Sequence, residues 1–330
     1  MNTFSAYRPF PDATTGALAI VLVALPFVLP SVTLASELVV FAVGALSCTF
    51  LLGLVGLLSF GQGLFFGIGA YGAALILLHS NSGSLVAVLA AAAMAAIAAA
   101  IVGFLSVRRR GIYFVMLTLA FAQMGYFAML ALKNVTGGEN GLTGVPRPPI
   151  VADLGVLAHP QAVYAFLAAI CFLAFVLTQR VASSPLGSVL RAIRENDIRA
   201  DALGYDVRLF KIAALAFGGF LAGLAGAMHT IFLGLAPPNT IEPEMSERLV
   251  IMAIIGGTGS PMGALIGAGF YVLLADFLST LWPRWLMIIA FLMIAIVLFL
   301  PNGLWGSAEL LIGRWKSHRA RAVSPEPVDG

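Results

Sequence analysis

The chain has 330 residues, of which 60% are hydrophobic and 10% charged, with a net charge of +3 and a mean hydropathy of +1.00. A soluble domain is about one-quarter charged, so this composition excludes a soluble enzyme and calls for an all-α polytopic membrane protein. The excess positive charge is placed for membrane orientation, and no nucleic-acid partner is expected. The two cysteines, Cys48 and Cys171, lie inside apolar runs and read as small core residues, not as a disulfide. No basic n-region or small-residue cleavage site flanks the first apolar run, so no signal peptide is expected.

A hydrocarbon core takes about 20 helical residues to cross. Residues 16–35 carry no charge and form the first span, kinked by Pro26 and Pro30. Residues 38–78 are also uncharged and too long for one crossing, so they fold back at Ser59–Gly63, where Gly61 and Gly63 supply the turn. Spans follow at 84–107, 111–132, 161–179 and 212–235. The run 249–275 is interrupted at 256–261 by Gly-Gly-Thr-Gly-Ser-Pro, and 285–300 is the last. Reading that run as two crossings, the second reaching about Leu281, gives ten spans with both termini cytoplasmic.

Charge decides between ten spans and nine. With ten, the inner side holds Arg8, Arg108, Arg109, Arg110, Arg180, Arg191, Arg194, Arg199, Arg208, Lys211, Arg314, Lys316, Arg319 and Arg321. The outer side holds Lys133, Arg147, Arg248 and Arg284. Fourteen against four obeys the positive-inside rule, whereas nine spans would put the four tail cations outside. Trp282, Trp285 and Trp305 then sit near span ends, as an aromatic belt should. The domain reading is a cytoplasmic segment 1–15, a transmembrane domain 16–306 and a basic cytoplasmic tail 307–330.

Between spans six and seven lies the most polar stretch of the chain, 183–211. Leu186, Val189, Leu190 and Ile193 recur at helical spacing, which predicts a short amphipathic helix. Asn196 can cap a second helix from Asp197 to Leu203, which Gly204 would end in the left-handed conformation. Two short helices on the membrane face suit docking to a soluble partner. Arg191, Arg194, Glu195, Asp197 and Asp201 are the expected contacts. The apolar stripe argues against a loop that is merely solvated. On the outer side, 133–160 is the longest loop.

Glycine-rich breaks are the candidates for a translocation path, because irregular backbone at membrane depth must be buried in protein or face water. They comprise Gly61, Gln62 and Gly63, and Gly256, Gly257 and Gly259. The competing reading is a pair of tight turns at the inner ends of hairpins. Gly61, Gly63 and Gly67 stand 196 residues before Gly257, Gly259 and Gly263, the pattern of an internal repeat or of chance among 35 glycines. Gln123 could line a polar route or bond a neighbouring helix. His229 is either functional or a satisfied core histidine, and Asp276 lies near an interface. The chain has no run of buried acids and histidines such as a proton-coupled carrier uses. It has no nucleotide-binding GxxxxGK[ST] loop, no HExxH and no metal-spaced Cys/His cluster, so neither catalysis nor a cofactor is expected.

Seven stretches carry a resemblance: GLLSFGQGLFFGIGAYGAAL (56–75), RRRGIYFVMLTLAFAQM (108–124), TGGENGLTGVPRP (136–148), SPLGSVLRAIRENDIRADALGYDV (184–207), FLAGLAGAM (220–228), IIGGTGSPMGALIGA (254–268) and LFLPNGLWG (298–306). In this order they resemble the LivM-type permease of branched-chain amino acid ABC importers. Permeases for urea and short amides are similar. Residues 239–242, Asn-Thr-Ile-Glu, depart from the Pro-x-Ser-Phe pattern expected there. The resemblance implies a bacterial inner-membrane importer working by alternating access. It also implies a homologous second permease, two cytoplasmic ATPases and a periplasmic solute-binding protein as partners, with membrane lipid around them. A stand-alone secondary carrier and a membrane-embedded enzyme or scaffold are the rival classes.

Overall fold

The computed structural model describes residues 12–80, 83–109, 111–146, 159–281, 284–300 and 303–307. Among them all regular structure is helical, apart from one isolated bridge between Leu142 and Ala236. The helices are α1 (Asp12–Val28), α2 (Val32–Phe50), α3 (Gln62–His79), α4 (Ser84–Ser106), α5 (Ile112–Ala131), the single turn α6 (Lys133–Thr136) and α7 (Pro160–Ser183). They continue with the short pair α8 (Pro185–Glu195) and α9 (Asp197–Ala202), then α10 (Val207–Leu233), α11 (Pro243–Gly256), α12 (Pro261–Leu281) and α13 (Trp285–Phe299). Seven are long and apolar enough to cross a membrane: α2 with its extension to Val55, α3, α4, α5, α7, α10 and α12. α1 and α13 are shorter apolar helices, and α11 has 14 residues.

α2 is the axis of the bundle. Every residue from Leu34 to Phe50 except Glu37 is buried, among α3, α7, α10, α11 and α12. Its start corrects the expected first span. α1 stops at Val28, ahead of Pro30, and Ser31 caps α2 by accepting the Leu34 N–H at 3.1 Å. Residues 32–35 therefore belong to the second helix, and Glu37, excluded from both expected spans by its charge, lies within α2.

Around this axis, α10 packs against α4 and α3 through small residues. A side chain on Gly69 or Gly226 would strike the backbone of Gly223 or Phe66, and one on Gly219 or Gly223 would strike Ala99 or Ala95. Close backbone approach replaces the hydrophobic driving force that is missing between helices in lipid. The alanine-rich α4 shows why a sequence without charge can still be amphipathic. Ala91, Ala95 and Ala99 are fully buried, whereas Leu89, Met94, Ile97, Ile101 and Phe104 are exposed. Bulk faces outward and smallness faces α10. α5 is peripheral, with only Phe114, Thr118, Ala122 and Met129 buried.

α8 and α9 form as the sequence predicts, with Ser184 capping the first at Gly187 N–H and Asn196 the second at Arg199 N–H. Gly204 follows at φ 89, one residue beyond the C-cap Leu203. The N-terminal segment 1–11, residues 147–158, Trp282 and the tail beyond 307 lie outside the described residues.

Candidate functional site

α2 does not end as an ordinary helix. Leu51–Val55 widen into a π turn, closed by Gly56 at φ 74, whose N–H bonds to Leu51 O. Residues 57–61 then run irregularly until α3 begins at Gln62. The left-handed residue is thus Gly56. Gly61 and Gly63, expected to supply the turn, have negative φ: Gly61 is the α3 N-cap and Gly63 lies inside the helix. α3 also starts deep in the bundle. Gln62 meets Ser47, eight residues back along α2 from Val55, or roughly 12 Å at the helical rise.

Irregular backbone at that depth needs partners, and hydroxyls from two other helices provide them. Thr118 Oγ1 of α5 accepts from Phe60 N–H at 3.2 Å, its own hydrogen going to Val115 O at 2.9 Å. Ser246 Oγ of α11 accepts from Gly63 N–H at 2.8 Å and donates to Phe60 O at 2.6 Å. Ser59 Oγ accepts from Gly61 N–H at 3.2 Å. Gly63 is required for this contact, since a Cβ there would lie 2.7 Å from the Ser246 oxygen.

A second irregular segment descends from the opposite side. After α10, Gly234 (φ 73) turns the chain, Ala236 pairs with Leu142, and residues 238–240 form a 3-10 turn leading to α11. Ile241 fills the space a side chain on Gly67 would occupy, so this stretch reaches one turn above Gly63 on α3. The departing residues Asn239–Glu242 lie here, with Thr240 and Ile241 buried.

Where the first break begins, three elements meet at Gly53. Its carbonyl would bond residue 58 in a continued π helix, but residue 58 has left the helix, and Arg194 Nη1 of α8 donates to it instead. Gly53 also leaves room for the Thr258 carbonyl in the α11–α12 turn, and Gly56 for the Arg194 side chain.

The family described as the permease component of branched-chain amino acid transport systems matches residues 31–298. The chain belongs to this family. It is 27% identical over 311 residues to the high-affinity branched-chain amino acid transport permease LivM of Escherichia coli, covering 87% of this chain and 73% of that protein. It is equally 27% identical to the high-affinity branched-chain amino acid transport permease LivH of E. coli, over 84% of this chain and 94% of that one. A probable LivM of Methanocaldococcus jannaschii is 27% identical over 52% of this chain and 53% of that protein. The family and the seven long apolar helices make it a multi-pass membrane protein.

Within this permease the residues singled out from sequence separate into groups. Gly61, Gln62 and Gly63 stand together at the first break. Gly256, Gly257 (φ 101) and Gly259 form a tight α11–α12 turn, with Gly256 against Gly263 and Gly267 and open space at Gly259. Gly61 and Gly257 differ in backbone conformation, and Gly67 and Gly263 make room for unrelated neighbours, so the two glycine sets do not do equivalent jobs. Gln123 faces outward on α5, away from Gln62. His229 is buried between the rings of Phe41 and Phe66, at 6.0 and 5.6 Å, with Nδ1 unpartnered among the described residues. Its neighbour Phe66 stands on α3 one turn beyond Gln62 on the same face.

On α8 and α9, Leu190 and Ile193 are buried within this chain, whereas Leu186 is 36% exposed. The stripe thus serves first to seat α8 on its own bundle. Arg191 donates to Ala182 O at 2.9 Å and Ser188 Oγ at 3.1 Å. Asp197 pairs with the buried Lys211 at 2.5 Å, tying α9 to α10. Glu195, Arg199 and Asp201 are exposed, and Ile198 and Leu203 are apolar yet 69% and 71% exposed. Sequence reasoning missed Ser246, Thr118 and Gly53. A lone hydroxyl in an apolar run was the available signal for Thr118, whereas Ser246 is hidden among the charged residues Glu244, Glu247 and Arg248.

Proposed function

We infer that this chain is the permease subunit of an ATP-binding-cassette importer that moves branched-chain amino acids into the cytoplasm. The observation that carries the reading is the family match along residues 31–298. Similarity to both LivM and LivH fits a transporter built from two homologous permeases. The sequence has no nucleotide-binding loop, so two cytoplasmic ATPases supply the energy and a periplasmic solute-binding protein delivers the solute. The permease domain, 16–306, crosses a bacterial inner membrane ten times, counting α1, α11 and α13, with segment 1–15, the 183–211 loop and tail 307–330 in the cytoplasm.

Coupling runs through α8 and α9. The ATPases dock on the exposed face formed by Leu186, Glu195, Ile198, Asp201 and Leu203. Motion passes from Arg194 to the Gly53 carbonyl, where the first break begins, and from Asp197 to Lys211 on α10. The path runs past the break and Gln62, and alternates between outward- and inward-facing states as the break rearranges. Purification of the tagged chain from its native membranes tests the assembly. A second permease and ATPases should co-purify, and a chain recovered alone that still transports under an ion gradient would establish a secondary carrier.

A further inference from the structure

Gln62 is completely buried, yet its side chain is mismatched. Its Oε1 lies 3.2 Å from Ser47 Oγ, and its Nε2 has no partner among the described residues. Ser47 has a single hydroxyl hydrogen, and Gly44 O, at 2.7 Å, takes it. The carboxamide can turn its NH2 toward Ser47, but its oxygen is then the orphan. In either orientation one strong polar atom of Gln62 is left over. A buried group in that state destabilises the fold unless something else binds it.

Beside it lies a cavity of about 10 Å³, the room of one water molecule. Its polar wall is Gln62 and Ser59, at the N-terminus of α3, and apart from the Cys48 thiol its remaining wall is aliphatic, including Leu51, Leu57, Leu58 and Val250. Leu57, Leu58 and Ser59 place it against the irregular segment, which follows the π turn that Arg194 holds at Gly53. A neutral polar pole facing a branched aliphatic wall matches a small zwitterion with an aliphatic side chain. A carboxamide offers both a donor and an acceptor to such a head group, with no fixed charge to trap it; conduction requires binding that is weak enough to release.

We propose that this cavity is the closed form of a solute subsite, in which Gln62 contacts the charged head of an aliphatic amino acid and the leucines contact its side chain. In the present conformation it has room for no more than one water. It widens when the 56–61 segment moves. The proposal rests on the importer reading and adds to it the residue and the wall that the solute touches.

The test uses the full assembled transporter in proteoliposomes, with L-leucine, L-lysine and urea as probes. Wild-type leucine uptake is the control for the importer reading itself, since its absence from an intact, ATP-hydrolysing complex overturns that reading whatever Gln62 does. Given that control, Gln62→Met, which keeps shape but removes both polar atoms, should lower leucine uptake at least tenfold with basal ATP hydrolysis retained. Gln62→Glu should shift selectivity toward lysine, a change that a merely structural role would not produce. Cys48 lines the same cavity and gives an independent readout in a Cys171→Ser background. A small methanethiosulfonate should label Cys48 during ATP turnover, and leucine, but not urea, should slow the labelling. Unchanged uptake and selectivity in both Gln62 variants, or labelling that is indifferent to leucine, overturns the subsite.

Discussion

Ser246→Ala perturbs one oxygen and leaves two backbone groups without partners. The hydroxyl accepts from Gly63 N–H and donates to Phe60 O, and Ser246 is fully buried. Alanine keeps the helix and nearly the volume, so the change isolates the clasp between α11 and the break. Each buried backbone group left unmatched destabilises by about 1–3 kcal/mol, so the pair should lose about 2–4 kcal/mol, allowing for partial relaxation. For a chain of this length that is a fall of about 3–6 °C in the unfolding midpoint. Thermal unfolding of the detergent-purified transporter measures it. Ser279→Ala is the control, because Ser279 is exposed and bonds only its own helix at Asp276 O. Thr118→Val removes the acceptor for Phe60 N–H, and because both variants act on one residue's backbone their effects should be less than additive. A Ser246→Ala protein as stable as the Ser279→Ala control would refute the claim that this hydroxyl holds the break.

Gly53→Ala should prevent proper assembly of the inner face, since its Cβ would collide with the Thr258 carbonyl; normal expression and unfolding would contradict this. Arg194→Ala should remove a charge-assisted hydrogen bond worth about 1.5–3 kcal/mol, and should uncouple ATP hydrolysis from uptake more than Arg199→Ala does, as read by the ratio of the two rates. Lys211→Met removes the ion pair that ties α9 to α10, so uptake should fall, and Lys211→Met/Asp197→Asn should recover part of it. Reporter fusions at Asn140 and Ser324 should report opposite sides of the membrane, and the same side for both would rule out ten spans.

What the sequence made legible was local. Asn196 and Gly204 mark α9 because capping depends on a few neighbouring residues, and the apolar periodicity of α8 is a property of one turn and the next. The break after α2 was legible as a region but not at its residue, because nothing in the string distinguishes the left-handed Gly56 from Gly61 or Gly63. Glu37 misled because charge was taken to end a span, although it stands only one and a half turns into α2. The descending segment through Ile241 was invisible, as its reason is the hollow at Gly67, 174 positions earlier. Arg191 and Arg194 were picked for their charge, and only their contacts with Ala182 and Gly53 show that α8 holds its own bundle with them. Gln62 was visible as a polar residue in an apolar run. That it is buried with an unmatched atom depends on Ser47 and Gly44, which only folding brings to it.

Uptake of labelled L-leucine into proteoliposomes tests the central claim most directly, with this chain assembled with a second permease, ATPases and the solute-binding protein. The account predicts accumulation that requires internal-facing ATP and every subunit, and none when this chain alone is reconstituted under a sodium or proton gradient. Ion-driven leucine accumulation by the chain alone would contradict it.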